Sequence, residues 1–182
     1  MKNFYMLLLI LLSYSNTINA VTRYVTPTGN GLMNGTNWAN AFPGTSLQTA
    51  INASAPGDEV WVMTGAYFTT NINNRNIYFS MQNGVAIYGS FAGTETSLAQ
   101  RNISCGFTSV LSAEIGVAGI ADNSYHVFNN SSLNNTAVLD GFSIRDANAN
   151  FDFLGNDNRS LGGGMLNNAA NGGICTPTIR NC

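Results

Sequence analysis

Short apolar segments of four to eight residues, each bounded by Gly, Asn or Pro, recur along most of this chain. The first apolar run is different. Phe4 to Leu12 is uninterrupted and follows Lys2, and it falls well short of the roughly 20 residues needed to cross a bilayer. Residues 1–20 are therefore read as an export signal cut after Ala20, although Ile18 is bulky for the position three residues before the cut. Cutting after Ser15, or an uncleaved anchor, are the alternatives.

Residues 45–55 carry the helical pattern, with Leu47, Ala50, Ile51 and Ser54 on one face, Thr45 or Ser46 as N-cap, and Pro56-Gly57 as the stop. A strand over 58–63 follows, preceded by one over 23–26. Further strands are expected at 66–70, 76–81, 85–91, 109–115, 125–129, 137–144, 164–167 and 176–181. The blocks beginning at Val85, Val110 and Val138 look equivalent, and their starts fall within the range of a stacking repeat. The Asn pairs at 73–74, 129–130, 134–135 and 167–168 are placed at corners, where Asn accepts left-handed backbone and can stack in hydrogen-bonded ladders. A β-solenoid is the reading that periodicity favours. A β-sandwich also accommodates short strands at this spacing.

Composition narrows the chemistry. Only 9% of the 182 residues are charged and the formal net charge is −2, so there is no basic field for nucleic acid. Lys2 is the only lysine, and once residues 1–20 are removed no lysine remains for a Schiff base or a phosphate loop. Three cysteines, Cys105, Cys175 and Cys182, show no metal-binding spacing, and a Cys175–Cys182 bridge is one possible pairing.

In chained order, several blocks resemble the N-terminal part of exported bacterial right-handed parallel β-helix proteins of the pectin-lyase-like superfamily. They are Gly35-Thr36-Asn37-Trp38-Ala39-Asn40-Ala41-Phe42, Pro56-Gly57-Asp58-Glu59-Val60-Trp61-Val62, Gly84-Val85-Ala86-Ile87-Tyr88-Gly89 and Val138-Leu139-Asp140-Gly141-Phe142. They are similar to Bacteroidetes surface proteins and to polymorphic outer-membrane proteins. The resemblance implies an all-β right-handed parallel β-helix with an N-terminal amphipathic capping helix. It divides the chain into a signal peptide (1–20), a cap region (21–57) and the first coils (58–182). Family members run on for more coils, so the resemblance implies a chain truncated at its C-terminus.

Enzymes of that superfamily use an acidic cluster, often with calcium, plus a basic group. The densest such set here is Arg145, Asp146, Asp152, Asp157 and Arg159 beside Gly162-Gly163-Gly164, though the acids lack a regular metal-loop spacing. An excursion loop carrying solvated charges is the preferred reading of this set. Asp140 reads as a turn residue, His126 as structural, and Asp58-Glu59 as the solvated start of a strand. Trp38 and Trp61 are the candidates for stacking on sugar rings, and Trp38 and Phe42 are spaced to cover one patch. The functional expectation is a secreted or cell-surface, adhesin-like scaffold that binds glycans or matrix partners, without metal, cofactor or catalysis in this segment. The alternative is the first part of a polysaccharide lyase or glycoside hydrolase, and calcium belongs only to that alternative.

Overall fold

The computed structural model describes residues 19–103, 109–151, 157–169 and 173–182. The apolar run of the signal, Cys105 and Asp152 lie outside the described residues. The fold is all-β with little helix. Strands β1 (Thr22–Thr26), β2 (Phe42–Pro43), β3 (Glu59–Met63), β4 (Gly65–Phe68), β5 (Ala86–Phe91) and β6 (Ser109–Ser112) come first. Then follow β7 (Phe128–Ser131), β8 (Val138–Asp140), β9 (Ser143–Arg145), β10 (Met165–Asn168) and β11 (Thr178–Arg180).

They form a six-stranded sheet in the order β11-β8-β5-β3-β1-β2, a three-stranded sheet β4-β6-β9, and a two-stranded sheet β10-β7. Every ladder between these strands is parallel. From β3 onward the chain visits the sheets in rotation. β3 and β4 lead to Phe79, which bridges Phe128 in parallel, and then come β5, β6, β7, followed by β8, β9, β10. Val60, Ile87, Leu139 and Ile179 are in register across the large sheet. The first three join Tyr67, Leu111, Phe79 and Phe128 from the other sheets in one buried core. Removing that apolar surface from water is the main stabilising term.

The helix is shorter than its pattern predicted. α1 covers Leu47–Asn52, after a 3-10 turn over Gly44–Ser46, and the Ser46 side chain makes no capping bond. Its buried face is the expected Leu47, Ala50 and Ile51, and it lies against the open side of the core by β1. Of the segment between Pro43 and Pro56, the 3-10 turn takes the start, and the six residues of α1 make little more than one turn and a half.

Three expectations about strands change. The block at Val110 is not equivalent to those at Val85 and Val138: Ala86 pairs with Val138, whereas Val110 lies between Ala66 and Ser143 in the three-stranded sheet. The expected strand at 137–144 is two strands. Gly141, at φ 87°, turns the chain from one sheet to the next, a backbone that a side chain rarely adopts. Residues 76–81 contribute only the Phe79 bridge.

Two Asn pairs fall inside strands rather than at corners, and one does stack. Asn130 Nδ2 donates to Asn167 Oδ1 at 2.9 Å across the β7–β10 ladder, while Asn130 Oδ1 accepts from the Met81 amide at 2.9 Å. A buried amide side chain must satisfy both ends, and this ladder does so on three successive layers. Cys175 and Cys182 are free thiols, so the bridge considered between them is not formed.

Candidate functional site

The outward face of the three-stranded sheet carries an exposed ring, Phe68, and an exposed cation, Arg145. Alternation turns Tyr67, Leu111 and Ile144 inward, and it presents Phe68, Ser112 and Arg145 as one row on the other side. Phe68 is 46% exposed. It borders a cavity of about 430 Å³ that is also lined by Pro27, Gly44, Thr45, Ala66, Thr70 and Asn71. Among the described residues no charged one lines it. A Cβ on Gly44 would stand 3.0 Å from both the Pro27 carbonyl oxygen and the Tyr67 ring, so glycine keeps that wall open.

At the other end of the row are two carboxylates. Asp146, at φ 69°, accepts the Ser112 hydroxyl at 2.6 Å and pairs with Arg145 Nε at 3.2 Å. Glu114 lies two residues beyond Ser112, and its Oε2 accepts from Asn123 Nδ2 at 3.4 Å. Asn123 Nδ2 also donates to the Asp146 carbonyl at 2.5 Å, which ties both acids to one buried amide. Glu114 Oε1 and Asn123 Oδ1 are buried without a hydrogen-bond partner among the described residues. Among the described residues no group of three or more His, Cys, Asp or Glu is placed to hold a metal ion.

The charges singled out in the sequence separate into two pairs. Arg145 and Asp146 lie at the sheet face just described. Asp157 and Arg159 form a chelated pair, with Arg159 Nε at 2.9 and 3.1 Å from the two carboxylate oxygens. That hydrogen bonding holds the Asp157 carboxyl down to about 2. The Arg159 guanidinium lies 3.4 Å from the Phe151 ring centre and 5.7 Å from that of Tyr125, with Arg75 at 4.1 Å from Tyr125. Both cations are therefore used in stacking.

His126 lies beside this second pair but is itself 2% exposed. Its Nδ1 is 3.3 Å from the Gly162 carbonyl, so the proton is assigned there, and Nε2 is buried without a partner. Burial pushes its pKa below the ordinary value, against the opposing pull of the Gly162 carbonyl and Asp157. A depressed histidine contributes stability that is present above its unfolded value of about 6.5 and lost as pH falls through the folded value. Urea midpoints measured downward from neutral pH should therefore fall more steeply for the parent than for His126→Gln. Parallel curves would mean that folding leaves the imidazole's affinity for protons unchanged.

The two tryptophans lie on the outer face of the large sheet. Tyr24, Trp61, Tyr88, Asp140 and Arg180 are successive partners in one row across β1, β3, β5, β8 and β11. Trp61 is 5% exposed, stacks on Phe91 at 4.5 Å and donates its indole N–H to Glu59 Oε2. Trp38 is half-buried, edge-on to Tyr24 at 4.8 Å, and donates to the Glu95 carbonyl. Both rings spend their faces on other aromatics. Phe42 packs on the inner core instead, so Trp38 and Phe42 do not share a patch.

Asp140 ends β8 at the Gly141 turn, and its side chain is buried. It pairs with Arg101 at 3.1 Å, each side chain 7% exposed, and with Arg180 at 3.5 Å, and accepts from Asn181 Nδ2 at 2.8 Å. Asp58 is likewise buried, not solvated. Sequence reasoning missed Phe68, Ser112, Glu114 and Asn123. The alternation of Tyr67 and Phe68 marks Phe68 as outward, but nothing local ties Asn123 to Glu114. No family model, curated protein or solved structure matches this chain.

Proposed function

We propose that this chain is a segment of an exported right-handed parallel β-helix, a secreted or cell-surface scaffold that binds glycans through the outward face of β4, β6 and β9. The rotation of the chain through three parallel sheets supports the β-helix. The apolar run after Lys2 supports export. One observation carries the ligand class: an uncharged cavity of about 430 Å³ with an exposed Phe68 ring beside Thr45, Thr70 and Asn71. A sugar presents an apolar ring face and a fringe of hydroxyls, and a wall of this composition meets both.

The full chain should bind at least one neutral polysaccharide in affinity electrophoresis. Phe68→Ala should weaken that binding about tenfold, or ~1.4 kcal/mol, and leave stability within ~0.5 kcal/mol, as for other exposed positions. Unchanged binding would place the glycan elsewhere. A polysaccharide-cleaving reading is favoured by Arg145 in the row with the Asp146 carboxylate bonded to Ser112 at its end. Incubating the polysaccharide panel with the full chain, with and without calcium, separates the two. Release of reducing ends or unsaturated products overturns the scaffold.

A further inference from the structure

We propose that cleavage between Ala20 and Val21 does more than release a leader: it creates an α-ammonium group at Val21 that forms an ion pair with the buried Asp58 and locks β1 into the large sheet. This rests on residues 1–20 being an export signal. It adds a structural role for the new chain end.

The geometry is already set. Asp58 is 4% exposed. Its Oδ1 accepts from the Val21 backbone nitrogen at 2.8 Å and its Oδ2 from the Ala55 amide at 2.9 Å. Asn19 and Ala20 are exposed and belong to no element, and Val21 alone separates them from β1. The Val21 carbonyl accepts from the Glu59 amide at 3.0 Å, so this residue is held on both sides while its predecessors are not.

Cleavage changes the chemistry of that one nitrogen. Water adds across the Ala20–Val21 amide under an export-coupled endopeptidase. The C–N bond breaks, Ala20 keeps a carboxylate, and the Val21 amine takes up a proton at neutral pH. A neutral amide donor becomes a cationic one at the same atom, and a charge-assisted bond of this kind is roughly twice as strong. Among the described residues the acid has no closer cation than Arg23. Arg23 Nη2 is 3.7 Å from Oδ2 and donates to the Ala53 carbonyl.

Burial by itself would raise the Asp58 carboxyl. The amides of Ala55 and Val21 and the charge of Arg23 outweigh it and hold the group below its ordinary value, so it is ionised at neutral pH. The charged or titratable groups facing the new amine are Asp58 and Arg23. Glu59 next to them is engaged by the Trp61 indole at 2.6 Å, and Tyr24 lies on the opposite face of β1.

The composition makes the test clean. Lys2 is the only lysine, so a chain beginning at Val21 has a single amine. The full chain is expressed in a host that exports it, its first residue is sequenced, and half the sample is acetylated with an amine reagent. Val21 is expected as the first residue. At about pH 7 the free-amine chain should melt about 2–4 °C above the acetylated one. The pair raises the amine's pKa, so its contribution is complete below the unfolded value of about 7.7–8.0 and is lost as pH rises through the folded one. The two melting curves should therefore converge in alkali. Acetylation should have no such effect in Asp58→Asn.

Equal melting temperatures of the two forms at every pH, in a chain that begins at Val21, overturn the ion pair and leave export standing. A mature chain beginning at Asn16 also overturns it, because the amine is then five residues from Asp58's partner. Recovery only of chains that retain Lys2 sinks the export reading as well.

Discussion

Asp140→Ala is expected to unfold with about 3–5 kcal/mol less stability than the parent in urea, the range for removing one partner of a buried pair. Arg101 and Asp140 are each 7% exposed and 3.1 Å apart. Arg101 also donates through Nη1 to the carbonyls of Gly89 and Asp140, at 3.3 and 3.0 Å. Truncating the acid leaves this guanidinium buried over Tyr88 and Phe91 with no counter-charge, and it removes an acceptor from Asn181 as well. The large cost comes from the unpaired charge, not from any great net worth of the pair. A double replacement, Asp140→Leu with Arg101→Met, should therefore recover most of the loss. A loss under about 1 kcal/mol for the single variant would show that Arg101 reaches water.

Phe142→Ala should cost a similar amount, about 3–5 kcal/mol, through a cavity instead of a charge. The ring is fully buried and belongs to the core shared by all three sheets. It lies against backbone: a Cβ on Gly89 would stand 2.9 Å from Phe142 Cε1 and Cζ. Backbone held in parallel ladders cannot close over the space that the ring leaves, so the site collapses poorly. The same reasoning gives Gly89→Ala a steric penalty with no change of charge. If Phe142→Ala lowers the urea midpoint no more than Phe68→Ala does, the core is not shared as described.

The two positions show where sequence reasoning stops. Val138-Leu139-Asp140 reads correctly as a strand, since β-branched and alternating residues mark it. Asp140 reads as a turn residue because Gly141 follows, and locally nothing distinguishes a turn acid from a buried one. Its partners Arg101 and Arg180 come from distant loops and strands. The repeat fails at Val110 for a related reason. Apolar strands in different sheets share one alternating pattern, so the pattern carries no label for the sheet a strand joins. The parallel register supplies that label.

The candidate face divides the same way. Arg145 and Asp146 are visible as charges, and Phe68 as the outward neighbour of an inward Tyr67. The cavity beside Phe68 is not visible, because its far wall is Pro27, Gly44 and Thr45, brought up by β1, β2 and the turn before α1. Separation of the Asp157–Arg159 pair from Arg145–Asp146 is equally a product of where the loops lie.

The sequence alone determined the kinds of element: short strands broken by turns, one small helix with Leu47, Ala50 and Ile51 inward, and an apolar run before Val21. These follow from backbone sterics and the periodicity of burial, which are local properties. Tertiary structure alone decided which strands are partners, which charges are buried as pairs, and which aromatic remains at the surface. Each of those depends on atoms far apart in the chain meeting in the folded protein, and the distant partner of a buried charge has no sequence-local signature.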